Sequence, residues 1–340
     1  MPFGYAIYFS ERKKNRVLRW NPDSGEVRVV AGESGGGEAS QRLNDPYGLA
    51  ISESGELIVS DKLNHRLCLL RNDRLEAIQL LDVNGHRTRT PDSQPAYEAD
   101  KPHCPASLYR EREGTLLIAF YDDNTIYRLH RDRGLELVLG IVPNRPFAHQ
   151  APRHSIPWQE TKEVPLRGPV GVVSRTDGTI FFVERQTQVV REYHPSRGLR
   201  SLFNLSQMST WSKRTEAPAS GSMDSYHPVS PVSLALNYNE ELFLCDNLHG
   251  AVLKLRPGDG TFVRVLASTR RAGSCSDSGP LAIAFGREGT AWLASSEGNV
   301  IQSYTVGLDE QWSPGPWKLE SFNGQPLDLI AGGLGLVLGQ

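Results

Sequence analysis

One motif recurs along this 340-residue chain, and its spacing restricts the fold more than any other feature. It reads Pro46-Tyr47-Gly48-Leu49-Ala50-Ile51, and its opening returns as Pro105-Ala106-Ser107-Leu108, Pro169-Val170-Gly171-Val172 and Pro231-Val232-Ser233-Leu234. Two further copies are Pro280-Leu281-Ala282-Ile283 and Pro326-Leu327-Asp328-Leu329. Successive prolines lie 59, 64, 62, 49 and 46 residues apart. The interval from Pro326 past the last residue and on from Met1 to Pro46 is 60, so six units are expected to close on themselves. Regular self-similarity marks a repeated supersecondary unit that cannot bury its apolar face alone.

Each unit parses into four short strands. A small-residue strand follows the proline, and a turn such as Ser54-Gly55, Glu113-Gly114, Asp177-Gly178 or Glu288-Gly289 comes next. An apolar second strand is expected at 57–59, 116–120, 179–183, 242–244 and 291–293. A third strand alternates, as in Val252-Leu253-Lys254-Leu255, and a fourth is expected at 26–30, 135–139, 199–203 and 262–266. Alternation of period two between Gly/Asp punctuation is a strand signal, and no stretch carries a helical period. Four strands in each of six units predict an all-β fold, a six-bladed β-propeller whose ring is closed by N- and C-terminal strands sharing one blade. The expected blades of this single domain, 1–340, are 326–340 with 1–43, then 44–101, 102–165, 166–227, 228–277 and 278–325. Gly48, Ser107, Gly171, Ser233 and Ala282 would suit a crowded inner strand, with 326–331 supplying the sixth. Segments 5–9 and 334–338 both resemble the second strand of the shared blade, so one of them must sit elsewhere.

Composition agrees with this architecture. The chain has 32 glycines and 22 prolines, which suits many turns. A net charge of −2 disfavours a nucleic-acid partner, which needs a basic surface. No apolar run approaches the roughly 18–20 residues of a membrane helix. The first residues lack a charged segment followed by an apolar one, so a cytoplasmic location is the default expectation and a secreted mature chain the alternative. Cys68, Cys104, Cys245 and Cys275 show no paired metal-ligand spacing.

The second unit also carries a family resemblance. Pro46-x-Gly48-Leu49-Ala50, then Gly55-x-Leu57-Ile58-Val59-Ser60-Asp61 and Asn64-His65-Arg66-Leu67, resembles an NHL repeat. Gln94-Pro95-Ala96-Tyr97-Glu98-Ala99 and Glu163-Val164-Pro165-Leu166-Arg167-Gly168 resemble the linkers between such repeats. The resemblance implies a six-bladed propeller, and it implies no single activity, because such propellers serve as enzymes, sensors and adhesion modules. Fold alone does not license a reaction.

Aligning the units places Glu11, Asp61, Tyr121, Glu184, Asp246 and Ser295 in one column at the end of the second strand. Four carboxylates on one rim suit a hard cation. In an NHL-type unit the acid instead pairs with the arginine five residues on, as Arg66 follows Asp61 and Arg16 follows Glu11. Glu184 and Asp246 have Val189 and Ala251 there, which makes them the freer acids and, with Arg185, the candidate catalytic groups. Candidate metal ligands are His103, His227 and His249 near the channel mouth, for a divalent cation such as zinc or calcium. Asp328 joins them, because it falls where the other units carry Gly, Ser or Ala; bonding to backbone amides is its alternative role. Two insertions, 141–167 and 204–230, are rich in arginine and aromatic residues, the types enriched in interface hot spots. With Tyr121 they supply the candidate binding residues Arg145, Phe147, Trp158, Trp211, Arg214 and Tyr226, forming a patch over the mouth.

Nucleophilic chemistry finds no support: there is no G-x-S-x-G elbow, and Ser274-Cys275-Ser276 has no recognisable base. Gly35-Gly36-Gly37 has no following lysine or helix start to cradle phosphate. The expected function is a non-catalytic module binding a protein or peptide, with a small molecule as an alternative partner and no membrane insertion. A metal-dependent lyase or hydrolase working at the channel mouth is the alternative.

Overall fold

The computed structural model describes residues 5–32, 39–78, 80–81, 87–88, 104–140, 164–202, 220–222, 231–247, 249–267, 279–286, 288–296, 299–307, 310–329 and 336–339. Six antiparallel blades make it an all-β, six-bladed propeller, as the proline spacing predicts. The chain divides into two compact units, one of residues 1–148, 162–172 and 334–340, the other of 149–161 and 173–333.

The first unit holds three blades. Blade one draws on both chain ends, with strands in the order Leu336–Gly339, Ala6–Glu11, Arg16–Trp20 and Val27–Ala31. Blade two is Pro46–Ile51, Leu57–Asp61, Arg66–Arg71 and Arg74–Ile78. Blade three is Pro105–Arg110, Leu116–Phe120, Thr125–His130 and Gly134–Gly140. Apolar side chains fill the wedges between them: Val17, Leu49, Val59 and Cys68 form one cluster, and Leu67, Ile118 and Phe120 belong to the next.

The second unit carries the rest. Blade four is Pro169–Ser174, whose first residues belong to the first unit, then Ile180–Glu184, Val189–His194 and Gly198–Ser201. Blade five is Pro231–Leu236, Leu242–Asp246, Ala251–Arg256 and Thr261–Ala267, with Ser220–Ser222 added outside its last strand. Blade six is Pro280–Phe285, Ala291–Ser295, Val300–Val306 and Trp312–Leu319. Phe243, Val252, Ile283, Leu293 and Trp312 pack between blades five and six.

The proline marks a fixed register. Pro46 pairs with Asp61, Pro105 with Phe120, Pro231 with Asp246 and Pro280 with Ser295, each followed at once by a bulge. Close approach of the neighbouring blade explains the glycine at position 48. A Cβ on Gly48 would sit 2.3 Å from the Ala106 carbonyl oxygen, so the first strands of blades two and three approach too closely for any larger residue. The Ser60 hydroxyl donates to the Pro105 carbonyl at 2.8 Å across the same seam.

One expectation is corrected. The inner strand of blade one is Leu336–Gly339, paired with Ala6–Glu11 from Ala6↔Gly339 to Phe9↔Leu336, and not the Pro326 segment. This settles the competition between 5–9 and 334–338: their described parts, 6–9 and 336–338, lie in neighbouring strands of the blade. Pro326 instead ends a hairpin of Ser321–Phe322 and Gln325–Pro326, turned by Asn323 and Gly324 at φ +51° and +72°. Asn-Gly with both residues left-handed is the favoured two-residue hairpin turn, and it overrides the apparent sixth repeat. Leu327 and Leu329 are buried, which accounts for strand-like alternation in a segment that has no strand. Asp328 between them is therefore outside the inner-strand column. Within the insertion at 204–230, Ser220–Ser222 lies on the outer edge of blade five, the edge opposite the inner strand. No helix among the described residues is long and apolar enough to cross a membrane.

Candidate functional site

The last residue of each second strand is where the sequence concentrates acids. In the first unit these acids are buried and paired within their own blade. Glu11 faces Arg16 in the register, accepts from its Nε at 2.5 Å and from Lys14 Nζ at 3.0 Å. Asp61 faces Arg66 and accepts from its Nε at 2.6 Å, from Asn64 Nδ2 at 2.8 Å and from the Asn44 amide at 2.6 Å. Burial pushes the Asp61 carboxyl up, and its three donors offset only part of that effect. Both pairings agree with the arginine-five-residues-on pattern.

Blade three breaks the column. Phe120, not Tyr121, occupies the position of Asp61, because Phe120 pairs with both Pro105 and Thr125 as Asp61 pairs with Pro46 and Arg66. Tyr121 is one place further on, half-buried, with its ring 5.4 Å from Lys62 Nζ. An apolar residue replaces the acid in this blade and leaves no charge to mark the register.

Glu184 and Asp246, in the second unit, are wholly buried and are not free acids. Glu184 Oε2 accepts from the Thr187 hydroxyl at 3.0 Å and lies 3.2 Å from Arg191 Nη2. Arg191 is itself 1% exposed, and its Nη1 donates to the Ser201 hydroxyl at 2.8 Å. Among the described residues, Glu184 Oε1 and Arg191 Nε and Nη2 make no hydrogen bond. Asp246 Oδ2 lies 2.6 Å from His249 Nδ1, a buried acid–imidazole pair within one turn. Next to it, Asn247 is buried, and its Oδ1 also lacks a partner among the described residues. Arg191 escaped the sequence reading because it stands seven residues after Glu184, in the middle of the third strand, whereas the motif places its arginine five residues on.

Of the other expected site residues, Arg185 follows Glu184 in the turn, and Asp328 is half-buried beyond the hairpin. His103, Arg145, Phe147, Trp158, Trp211, Arg214, Tyr226 and His227 lie outside the described residues. Among the described residues, no three His, Cys, Asp or Glu side chains are grouped to hold a metal ion. The three described thiols are poor nucleophiles: burial pushes Cys68 and Cys104 up to about 12, and Cys245 well above its ordinary value.

No family model matches the chain, and no curated protein matches it by sequence. Solved structures do match its fold. A chain of the nidogen/laminin complex is similar over 99% of this chain and 99% of that one, at 10% identity and a TM-score of 0.61. A gluconolactonase from Xanthomonas campestris is similar over 85% of this chain and 79% of its own, at 12% identity and a TM-score of 0.54. A catalytically inactive virginiamycin B lyase variant from Staphylococcus aureus, with quinupristin, is similar over 92% and 84%, at 12% identity and 0.52. These neighbours are six-bladed propellers that include enzymes and a binding protein, and at such identities they speak for the fold alone.

Proposed function

We propose that the chain is a non-catalytic propeller of the NHL type that binds a protein or peptide on its loop-bearing face. One observation carries this above all: the acids a channel-mouth enzyme would use, Glu11, Asp61, Glu184 and Asp246, each contact a basic side chain or imidazole of their own blade. A carboxylate already held in this way serves the blade before it serves a ligand. The nidogen/laminin neighbour, similar over nearly the whole of both chains, comes from a protein–protein complex, which supports a protein partner. The binding residues in this proposal are Tyr121, Arg145, Phe147, Trp158, Trp211, Arg214 and Tyr226. Replacing Trp158 and Trp211 together with alanine should weaken partner capture from a native extract by about a thousandfold without lowering the melting temperature, as loss of two aromatic anchors does (about 2 kcal/mol each). Capture that survives both substitutions would refute the assignment of the face.

The Asp246–His249 pair favours a second reading, a metal-dependent lyase or hydrolase. A carboxylate fixing one imidazole nitrogen is the arrangement that orients a histidine for metal binding through the other. His103, His227 and Asp328 would be the remaining ligands, with Glu184 or Arg185 acting on the substrate. Its premise is a stoichiometric bound metal.

A further inference from the structure

Two short turns in the first unit gather positive charge out of proportion to the rest of the chain. The 3-10 turns Arg12–Lys14 and Lys62–Asn64 link the second and third strands of blades one and two. Segments 11–16, 42–45 and 61–66 together hold seven basic and three acidic side chains, in a chain whose net charge is −2. The equivalent turn of blade three reads Tyr121-Asp122-Asp123, so the excess is local.

The three segments are stitched into one platform. Arg12 grips Asp45 with two hydrogen bonds of 2.6 and 2.7 Å, and Lys62 Nζ lies 3.7 Å from the same carboxylate. The Asp45 amide donates to Asn15 Oδ1 at 2.9 Å, and the Leu63 amide to the Asn44 carbonyl at 3.0 Å. Arg66 Nη2 donates to the Arg42 carbonyl at 2.8 Å. The Tyr47 ring lies beneath, 4.7 Å from the Arg12 guanidinium and 5.8 Å from Lys62 Nζ. All three acids of the platform are therefore held by its own donors, while Lys13 and Arg42 stand exposed and Leu63 is 47% exposed. An apolar side chain nearly half open to water beside these positive charges is surface that a partner's apolar group can cover.

We propose that this platform docks an acidic peptide segment of a partner protein, its carboxylates meeting Lys13 and Arg42 and an apolar side chain covering Leu63. The proposal rests on the binding-module reading above and names the chemistry of the partner. Fixed turns lose little freedom on binding, so complementary charge converts efficiently into affinity. A peptide fits better than a nucleic acid. Asp122 is exposed beyond Tyr121, whose ring contacts Lys62, and with Asp123 it bounds the platform on the blade-three side. A continuous phosphate backbone would run onto those acids, whereas a short acidic segment need not.

Fluorescence anisotropy with the intact chain tests this, using a labelled peptide of four Glu-Glu-Leu repeats, its Gln-Gln-Leu counterpart and a labelled oligothymidine of equal length. The expected result is saturable binding of the glutamate peptide alone, weakening as salt rises. Lys13→Glu with Arg42→Glu should weaken it about tenfold, and Leu63→Ala about threefold, with the melting temperature unchanged. Equal binding of the glutamine peptide, tighter binding of oligothymidine, or indifference to the charge reversals would overturn the proposal. Partner capture that needs Trp158 and Trp211 but survives the charge reversals would overturn the platform alone and leave the binding-module reading standing.

Discussion

Replacing Arg191 with methionine tests whether the second-strand acids are structural. The side chain of Glu184 is fully buried and that of Arg191 nearly so, and their charged atoms come within 3.2 Å. Without the guanidinium, the Thr187 hydroxyl is the remaining hydrogen-bond partner of Glu184 among the described residues. Breaking a buried pair from one side costs about 3–5 kcal/mol, because the surviving charge is left uncompensated. At about 2–4 °C per kcal/mol, the melting temperature should fall by roughly 6–20 °C. The double variant Glu184→Leu, Arg191→Met should behave differently. It removes both charges together with Glu184 Oε1 and Arg191 Nε and Nη2, which have no hydrogen-bond partner among the described residues. Replacing a buried pair with apolar side chains of similar size is often neutral or stabilising, so the double variant should return to within about 1 kcal/mol of the parent. Urea unfolding followed by tryptophan fluorescence, with calorimetry on the same samples, measures both quantities. A single variant that loses less than about 1 kcal/mol, or a double variant no better than the single, would refute the reasoning.

Two further perturbations test packing. Gly48→Ala should destabilise by about 1–3 kcal/mol, since its Cβ would meet the Ala106 oxygen at 2.3 Å and the Leu108 nitrogen at 2.9 Å. Gly258→Ala, where a Cβ meets nothing within 4 Å, is the matched control and should leave the urea midpoint almost unmoved. With Cys275 replaced by serine, a thiol reagent at pH 8 should find no reactive group until the chain unfolds, because Cys68, Cys104 and Cys245 are buried and hold their protons. Rapid labelling of one thiol per native chain would contradict that burial.

The blade number and most strand positions could be read from the chain because proline, glycine and alternation act locally. Pro46, Pro105, Pro231 and Pro280 each open a first strand and pair with the last residue of the second. Pairs adjacent in register, such as Glu11 with Arg16 and Asp61 with Arg66, were equally legible. What escaped were features that depend on the other end of a register. Arg191 reaches Glu184 diagonally from mid-strand, since it stands opposite Phe182. The shift from Tyr121 to Phe120 and the hairpin at Asn323-Gly324 required knowing which of two plausible pairings the backbone adopts. The basic platform was hidden for a related reason: charge balanced over the whole chain concealed an excess assembled from three separate segments.

The claim that the second-strand acids stabilise their blades, while function resides on the loop-bearing face, meets its most direct test in one calorimetric comparison. The purified chain is melted after treatment with EDTA, and again with excess zinc or calcium, beside a measurement of its metal content. A functional metal site at a hundredfold excess of ligand over Kd would stabilise the fold by about 2.7 kcal/mol. The expected result is coincident melting curves and substoichiometric metal. One equivalent of zinc or calcium, with a melting temperature that falls on its removal, would contradict the claim and favour the lyase or hydrolase.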